Sequence, residues 1–228
     1  MLLESLRPFT TSGFPGQHTL LLQCPGLFRI KELKKFLLLK IKMKSAFQSI
    51  QFLQQNELDQ LDDLITFRKL RKGELLLQEN QVCNEIFFIK KGILRSYSFN
   101  HQGDEITNCF AFENDFMASF SSFITQELAQ ENIQALVDTE LQIINRESLE
   151  QLYKSGIHWQ EIGRKLTEME YVTLQKRMIS FQKLSGKQRY QELYQNHQKY
   201  LQLIPLQYLA SYLGVTPRHL SRIRKEIL

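Results

Sequence analysis

Between Leu206 and Lys225, small, apolar, turn and basic residues follow one another in an order that two short helices packed across a tight turn satisfy. Leu209 and Ala210 fall on the first helix, and Ala210 is too small to hold the helices apart. Gly214 stands where the chain must turn and can take the positive φ that ends a helix. Thr216 is placed to cap the second helix. Pro217 suits its first turn, where a backbone N–H has no partner to lose. Val215, Leu220 and Ile223 then recur at the spacing that packs the second helix on the first. Arg218, Arg222 and Lys225 stand at i, i+4 and i+7 and so share one face, the kind that a recognition helix presents to the DNA major groove. The competing reading is an ordinary helical hairpin whose basic residues form a solvated face.

Charge distribution favours the first reading. From Lys183 to the C-terminus eight Lys and Arg residues stand against two acidic ones, whereas the whole 228-residue chain carries only +5. A basic end on a nearly neutral body points to a discrete nucleic-acid-binding unit. The 43% hydrophobic content is ordinary for a globular protein, and no run of about 18 apolar residues exists, so no membrane span is expected. Cys24, Cys83 and Cys109 are far apart, with neither a C-x-x-C pair nor a histidine at metal-ligand spacing. They read as reduced thiols of a cytoplasmic protein, with no metal and no cofactor.

Residues 1–42 differ from the rest. Pro8, Thr10 to Gly16 and Cys24-Pro25-Gly26 are turn-rich and aperiodic, and Lys residues then alternate with Leu and Ile from Lys31 to Lys42. The apolar pieces are too short for a secretory signal. The stretch reads as a poorly ordered extension, or as the product of a start placed ahead of a functional Met43; a membrane-surface amphipathic helix near Ile30 to Ile41 is the other reading.

From Ser45 the pattern becomes regular. Phe47, Ile50, Leu53, Leu58, Leu61 and Leu64 fit short amphipathic helices. Short β-like runs follow at Phe67–Arg71, Leu75–Gln78, Glu85–Lys90, Ile93–Phe99, Ile106–Phe112, Ile133–Val137 and Leu141–Ile144, separated by turn residues such as Lys72-Gly73, Lys91-Gly92 and Gly103. Many short strands at even spacing predict an antiparallel sandwich or roll. Arg146–Tyr153 reads as a closing helix. A long helix to about Gln182 carries an apolar seam of Ile162, Leu166, Met169, Val172 or Thr173, and Ile179, suited to dimerisation or to packing on its own roll. A helix over Gln188–His197 leads to the C-terminal pair. The expected class is α+β: a roll over 45–155, a long dimerisation helix over 156–182 and a helix-turn-helix unit over 183–228.

This order resembles the Crp/Fnr family of bacterial transcription regulators from about Ser45 onward. The resemblance rests on Leu70-Arg71-Lys72-Gly73-Glu74-Leu75-Leu76, Ile86-Phe87-Phe88-Ile89-Lys90-Lys91-Gly92 and the helix-turn-helix. It implies a cyclic-nucleotide-type roll, a homodimer formed along the long helix, and double-stranded DNA as partner. Cyclic-AMP-binding members hold the ribose and phosphate with a Gly-Glu pair and an Arg about ten residues later. Here Ala118 and Ser119 replace the pair, the following stretch runs Glu127 to Asn132, and no Arg occurs between Arg95 and Arg146. A buried phosphate needs a guanidinium, and Glu131 would repel it, so cyclic-nucleotide binding by that chemistry is not expected. The cysteine cluster of oxygen-sensing members and a haem ligand set are also missing, and His101 and His158 read as surface residues. An effector pocket, if the roll has one, would be lined by Phe116, Met117, Ala118, Ser119, Phe120 and Phe123. Their spacing equally suits plain core packing.

The expected function is therefore a dimeric, sequence-specific regulator of transcription. Arg218 and Arg222 would reach base edges, where Arg favours the O6 and N7 of guanine. His219 and Ser221 would touch bases or phosphates, Arg224 and Lys225 would neutralise backbone, and Thr216 would cap the helix and offer its hydroxyl to phosphate. Contacts with RNA polymerase, which activation would require, are reported by no motif. The alternative is a ligand- or partner-binding roll whose helix-turn-helix serves protein contacts. No nucleophile–base pair, phosphate-cradling loop or carboxylate constellation points to an enzyme, and Glu161, Glu168 and Glu170 read as the solvent side of the long helix.

Overall fold

The structure, a computed structural model, describes residues 59–61 and 63–227. The N-terminal extension and the expected helices bearing Phe47, Ile50, Leu53 and Leu58 lie outside the described residues. Among the described residues eight antiparallel strands come first: β1 (Ile65–Leu70), β2 (Leu75–Leu77), β3 (Glu85–Lys91), β4 (Ile93–Phe99), β5 (Glu105–Phe112), β6 (Phe116–Met117), β7 (Asn132–Ala135) and β8 (Thr139–Asn145). Helix α1 (Phe120–Thr125) interrupts them after β6. Helices α2 (Arg146–Ser155), α3 (Ile157–Lys183), α4 (Gly186–Leu201), α5 (Leu206–Tyr212) and α6 (Pro217–Ile227) follow. The strands form two four-stranded sheets, in the orders β1-β8-β3-β6 and β2-β7-β4-β5.

The two sheets face each other as a roll because consecutive strands change sheet everywhere except between β4 and β5, which pair as a hairpin. The sharpest change is at Gly92, between β3 and β4, where φ is +118° and a Cβ would lie 2.8 Å from the backbone Cα of Thr139. Only glycine fits both the backbone and the space. Phe87, Phe88 and Ile89 are all buried, as are Leu141, Ile143 and Ile144. Burial on both faces explains why β3 reads as an apolar run rather than an alternation. The same core takes in Leu149 and Leu152 of α2 and Trp159 and Ile162 of α3. Each such side chain stabilises the fold by about 1.5–3 kcal/mol relative to exposure. Asn145 caps α2 by accepting a hydrogen bond from the Ser148 N–H at 2.8 Å.

The apolar positions of α3 divide between two tasks. Ile162 is buried in the roll core and Leu166 packs against it. Further along, Tyr171, Leu174, Met178 and Phe181 remain 66%, 58%, 56% and 42% exposed. These four repeat at intervals of three and four residues and make one stripe on the helix. Exposed Glu168 and half-buried Glu161 bond Arg164, and Glu161 also bonds Lys165, whereas half-buried Glu170 is close to Asp115. Burial, followed by the charge of Asp115, holds the Glu170 carboxyl above the ordinary glutamate value.

Only Leu184 and Ser185 separate α3 from α4. Ser185 and Gln188 close a capping box that starts α4 cleanly. Helix α4 kinks at His197, whose ring stacks on Phe112 of β5 at 4.3 Å.

Candidate nucleic-acid interface and the roll pocket

Helices α4, α5 and α6 share a second core that includes Tyr190, Leu193, Leu209, Ala210, Leu213, Leu220 and Ile223. Leu209, Ala210 and Leu220 are fully buried, which places the two helices of the motif in close contact. The turn between them is a Schellman motif. The Val215 N–H donates to the Ala210 carbonyl and the Gly214 N–H to the Ser211 carbonyl, both at 3.0 Å, with Gly214 at φ +63°. At the far side of the turn the Thr216 hydroxyl accepts from the His219 N–H at 3.2 Å, and Pro217 opens α6. Small residue, turn glycine, cap and proline therefore each do at their own positions what their chemistry allows.

The basic residues of α6 do not behave alike. Arg218, His219, Arg222 and Lys225 are exposed and Ser221 is half-exposed. Among the described residues no hydrogen bond or ion pair engages Arg218, Arg222 or Lys225, so their charges are free for a partner. Glu226, the one carboxylate of α6, bonds Lys187 at 2.6 Å. That bond, with Arg222 and His219 nearby, holds its carboxyl below the ordinary value. The face is thus left positive. Arg224 turns inward instead. Its Nη2 donates to the Leu201 carbonyl at 3.3 Å, its Nε is buried, and its guanidinium lies 5.9 Å from the Tyr190 ring.

The residues expected around an effector occupy several environments. Met117 and Phe123 belong to the roll core, and Phe116 packs on Phe88 with ring centroids 5.1 Å apart. Ala118 and Phe120 are half-buried. Ser119 is fully buried, and its hydroxyl has no hydrogen-bond partner among the described residues. Arg146, the first arginine after the long gap, is used structurally: it donates to the Phe123 and Ile124 carbonyls at the end of α1. Glu131 accepts hydrogen bonds from the Ser96 hydroxyl and from Asn108 Nδ2. A carboxylate held there makes the neighbourhood acidic. A cleft of about 440 Å³ opens elsewhere, between the roll and α4, with Lys72, Lys91, Glu113, Asp138, Tyr200 and Leu203 on its walls. Among the described residues, His, Cys, Asp and Glu form no cluster able to hold a metal, and no helix is long and apolar enough to cross a membrane.

Sequence reasoning missed the junction where α5 docks on the roll. Arg95 of β4 is fully buried. Its Nη2 bonds Glu105 at 2.7 Å and Gln134 at 3.0 Å, and its guanidinium lies between the rings of Tyr97, at 4.1 Å, and Tyr208 of α5, at 3.5 Å. Beside it the Ser211 hydroxyl accepts from the Thr107 N–H at 2.9 Å. Phe110 of β5 meets Tyr212 at 5.0 Å, and Arg177 of α3 donates to the Tyr212 carbonyl at 3.3 Å. One sign of this was available: Arg95 occupies the Ile93-Tyr97 face of a strand whose alternation otherwise predicts apolar residues.

Residues 67–155 match the family model for the cyclic nucleotide-binding domain. Electron transport regulator A of Shewanella oneidensis is 39% identical over 64 residues, which are 28% of this chain and 26% of that protein. The chain thus spans about a quarter of the length of the curated relatives it matches. Among solved structures, FixK2 from Bradyrhizobium japonicum superposes with a TM-score of 0.60 at 18% identity, over 72% of this chain and 84% of that one. A Crp/Fnr-family protein from Eubacterium rectale gives 0.59 at 20% identity, over 76% and 83%. At these identities the structural likeness is one of fold. Taken with the domain match, it shows that this chain has the fold of those proteins, with a cyclic nucleotide-binding-type roll at residues 67–155.

Proposed function

We propose that the chain is a dimeric, sequence-specific DNA-binding regulator of transcription that does not respond to cyclic AMP. The observation that carries this reading is the free cationic face of α6. Among the described residues, Arg218, Arg222 and Lys225 are exposed without hydrogen-bond or ion-pair partners on a helix started by Thr216 and Pro217, and Glu226 is bonded by Lys187. In this reading Arg218 and Arg222 take guanine edges, His219 and Ser221 touch bases or phosphates, and Thr216 and Lys225 meet the phosphate backbone. Arg224 supports the unit from inside. The exposed stripe of Tyr171, Leu174, Met178 and Phe181 supplies an apolar surface for a second copy. The acidic surroundings of Glu131 and the replacement of the Gly-Glu pair by Ala118 and Ser119 argue against an anionic nucleotide in the roll. Selection of genomic fragments by the purified protein, without added ligand and near physiological salt, tests the reading. Enrichment of a two-fold symmetric motif with half-sites about one helical turn apart is the expected result. Salt-sensitive binding with no enriched motif refutes it.

A further inference from the structure

We infer that the Arg95–Tyr208 contact is a positioning device that fixes the helix-turn-helix unit on the roll and thereby sets the half-site spacing the dimer accepts. The inference rests on the dimeric DNA-binding reading above. The two non-helical residues between α3 and α4, Leu184 and Ser185, keep the unit near the end of α3 but leave its orientation to their backbone torsions. The position depends on what α5 touches.

Four contacts described above hold α5: Arg95 against Tyr208, Thr107 against Ser211, Phe110 against the Tyr212 ring, and Arg177 against the Tyr212 carbonyl. The first differs in kind. A fully buried guanidinium needs compensation on all sides, yet Arg95 Nε and Nη1 have no hydrogen-bond partner among the described residues. Glu105 and Gln134 satisfy one edge, and the two tyrosine faces cover the planes. Tyr208 is the only part of this shell contributed by α5. Withdrawing it exposes one face of a desolvated cation, so the contact resists displacement of α5 more strongly than a neutral hydrogen bond does. The roll in turn is fixed to α3 through Trp159 and Ile162. With the dimer axis along the exposed stripe of α3, the distance between the two α6 helices follows from where each α5 is clamped.

The test measures full-length protein binding to DNA carrying two selected half-sites whose spacer is varied one base pair at a time, with a single half-site as reference. Wild type is expected to prefer one spacing. Tyr208→Leu should keep its single-half-site affinity while its discrimination between the best spacing and its neighbours falls about tenfold. Tyr208→Phe keeps the aromatic face and should keep the wild-type profile. Tyr208→Met fills similar space without a π face, and serves in place of the leucine variant if that one unfolds. An unchanged spacing profile in Leu or Met variants that bind the single half-site normally overturns the inference. A wild type that prefers no symmetric site overturns the DNA-binding reading itself, a separate result.

Discussion

Arg222 and Arg224 stand two residues apart on one helix and should fail in opposite ways when truncated. Arg222 is exposed and makes no hydrogen bond or ion pair among the described residues, so Arg222→Ala should change folding stability by no more than about 0.5 kcal/mol. If it reads a guanine with two hydrogen bonds, its loss costs about 1–3 kcal/mol on the selected site, or roughly five- to 150-fold in Kd. That loss should shrink when the contacted base pair is changed. Arg224→Ala removes a bond to the Leu201 carbonyl and the packing of its stem beside Tyr190. A charged hydrogen bond is worth about 1.5–3 kcal/mol, and half-burial at a long 3.3 Å separation reduces this to about 1–2 kcal/mol of stability. Affinity of the folded Arg224 variant should be close to wild type. Chemical denaturation and titration of base-substituted duplexes at fixed salt measure both quantities. A loss for Arg222→Ala that is equal on every sequence would refute base reading. A strong DNA defect in a fully stable Arg224→Ala protein would refute its inward placement.

Other perturbations address the turn, the stripe and the buried carboxylate. Gly214→Ala forces a Cβ into the left-handed region at φ +63° and to within 2.8 Å of the Phe181 ring, and should destabilise the protein by about 1–2 kcal/mol in urea unfolding. Gly103→Ala, also left-handed but facing open space, isolates the backbone share of that cost. Leu174→Lys places a charge in the exposed stripe of α3 and should leave a folded monomer by analytical ultracentrifugation; an unchanged dimer would move the interface elsewhere. Glu170 has its folded-state pKa raised above the ordinary 4.5 by burial and by Asp115. Its contribution to stability is therefore full below that value and lost as pH rises through the folded pKa. Glu170→Gln should stabilise the protein at neutral pH, with the gain disappearing toward about pH 4; denaturation midpoints across that range decide it.

The helix-turn-helix was legible because its determinants are local. Ala210, Gly214, Thr216 and Pro217 act within one or two turns of their own positions. Strands β3, β4, β5 and β8 were legible within a residue or two, through apolar runs bounded by Lys91-Gly92 and Gly103. Two elements escaped. Strand β6 has only two residues, Phe116 and Met117, and is held in place by pairing with β3 rather than by any pattern of its own. Helix α1 lacks a side-chain N-cap bond and ends under the Arg146 guanidinium, a partner more than twenty residues away. Of the expected solvent side of α3, Glu168 is exposed while Glu161 and Glu170 are half-buried, because which turn of a long helix meets the roll is a tertiary fact. The same holds for the seam, where Ile162 and Leu166 went to the roll while Tyr171 and Leu174, unremarked in the periodicity, stayed outside. The Arg95 junction depends on residues from β4, β5, β7 and α5, and no spacing rule joins them.

The burial of Trp159 has a practical consequence. It is the chain's single tryptophan, and it sits in the first turns of α3 within the roll core. Its emission therefore watches one seam of the molecule, the seating of the long helix on the roll, without interference from any other indole. The tyrosines Tyr97, Tyr190, Tyr200 and Tyr208 crowd the other seam, where the C-terminal helices meet β4 and β5. A molecule that enters the roll should move the indole signal, whereas occupation of α6 by a duplex should leave it still unless the two seams are mechanically linked. One cuvette can thus distinguish a sensor from a reader.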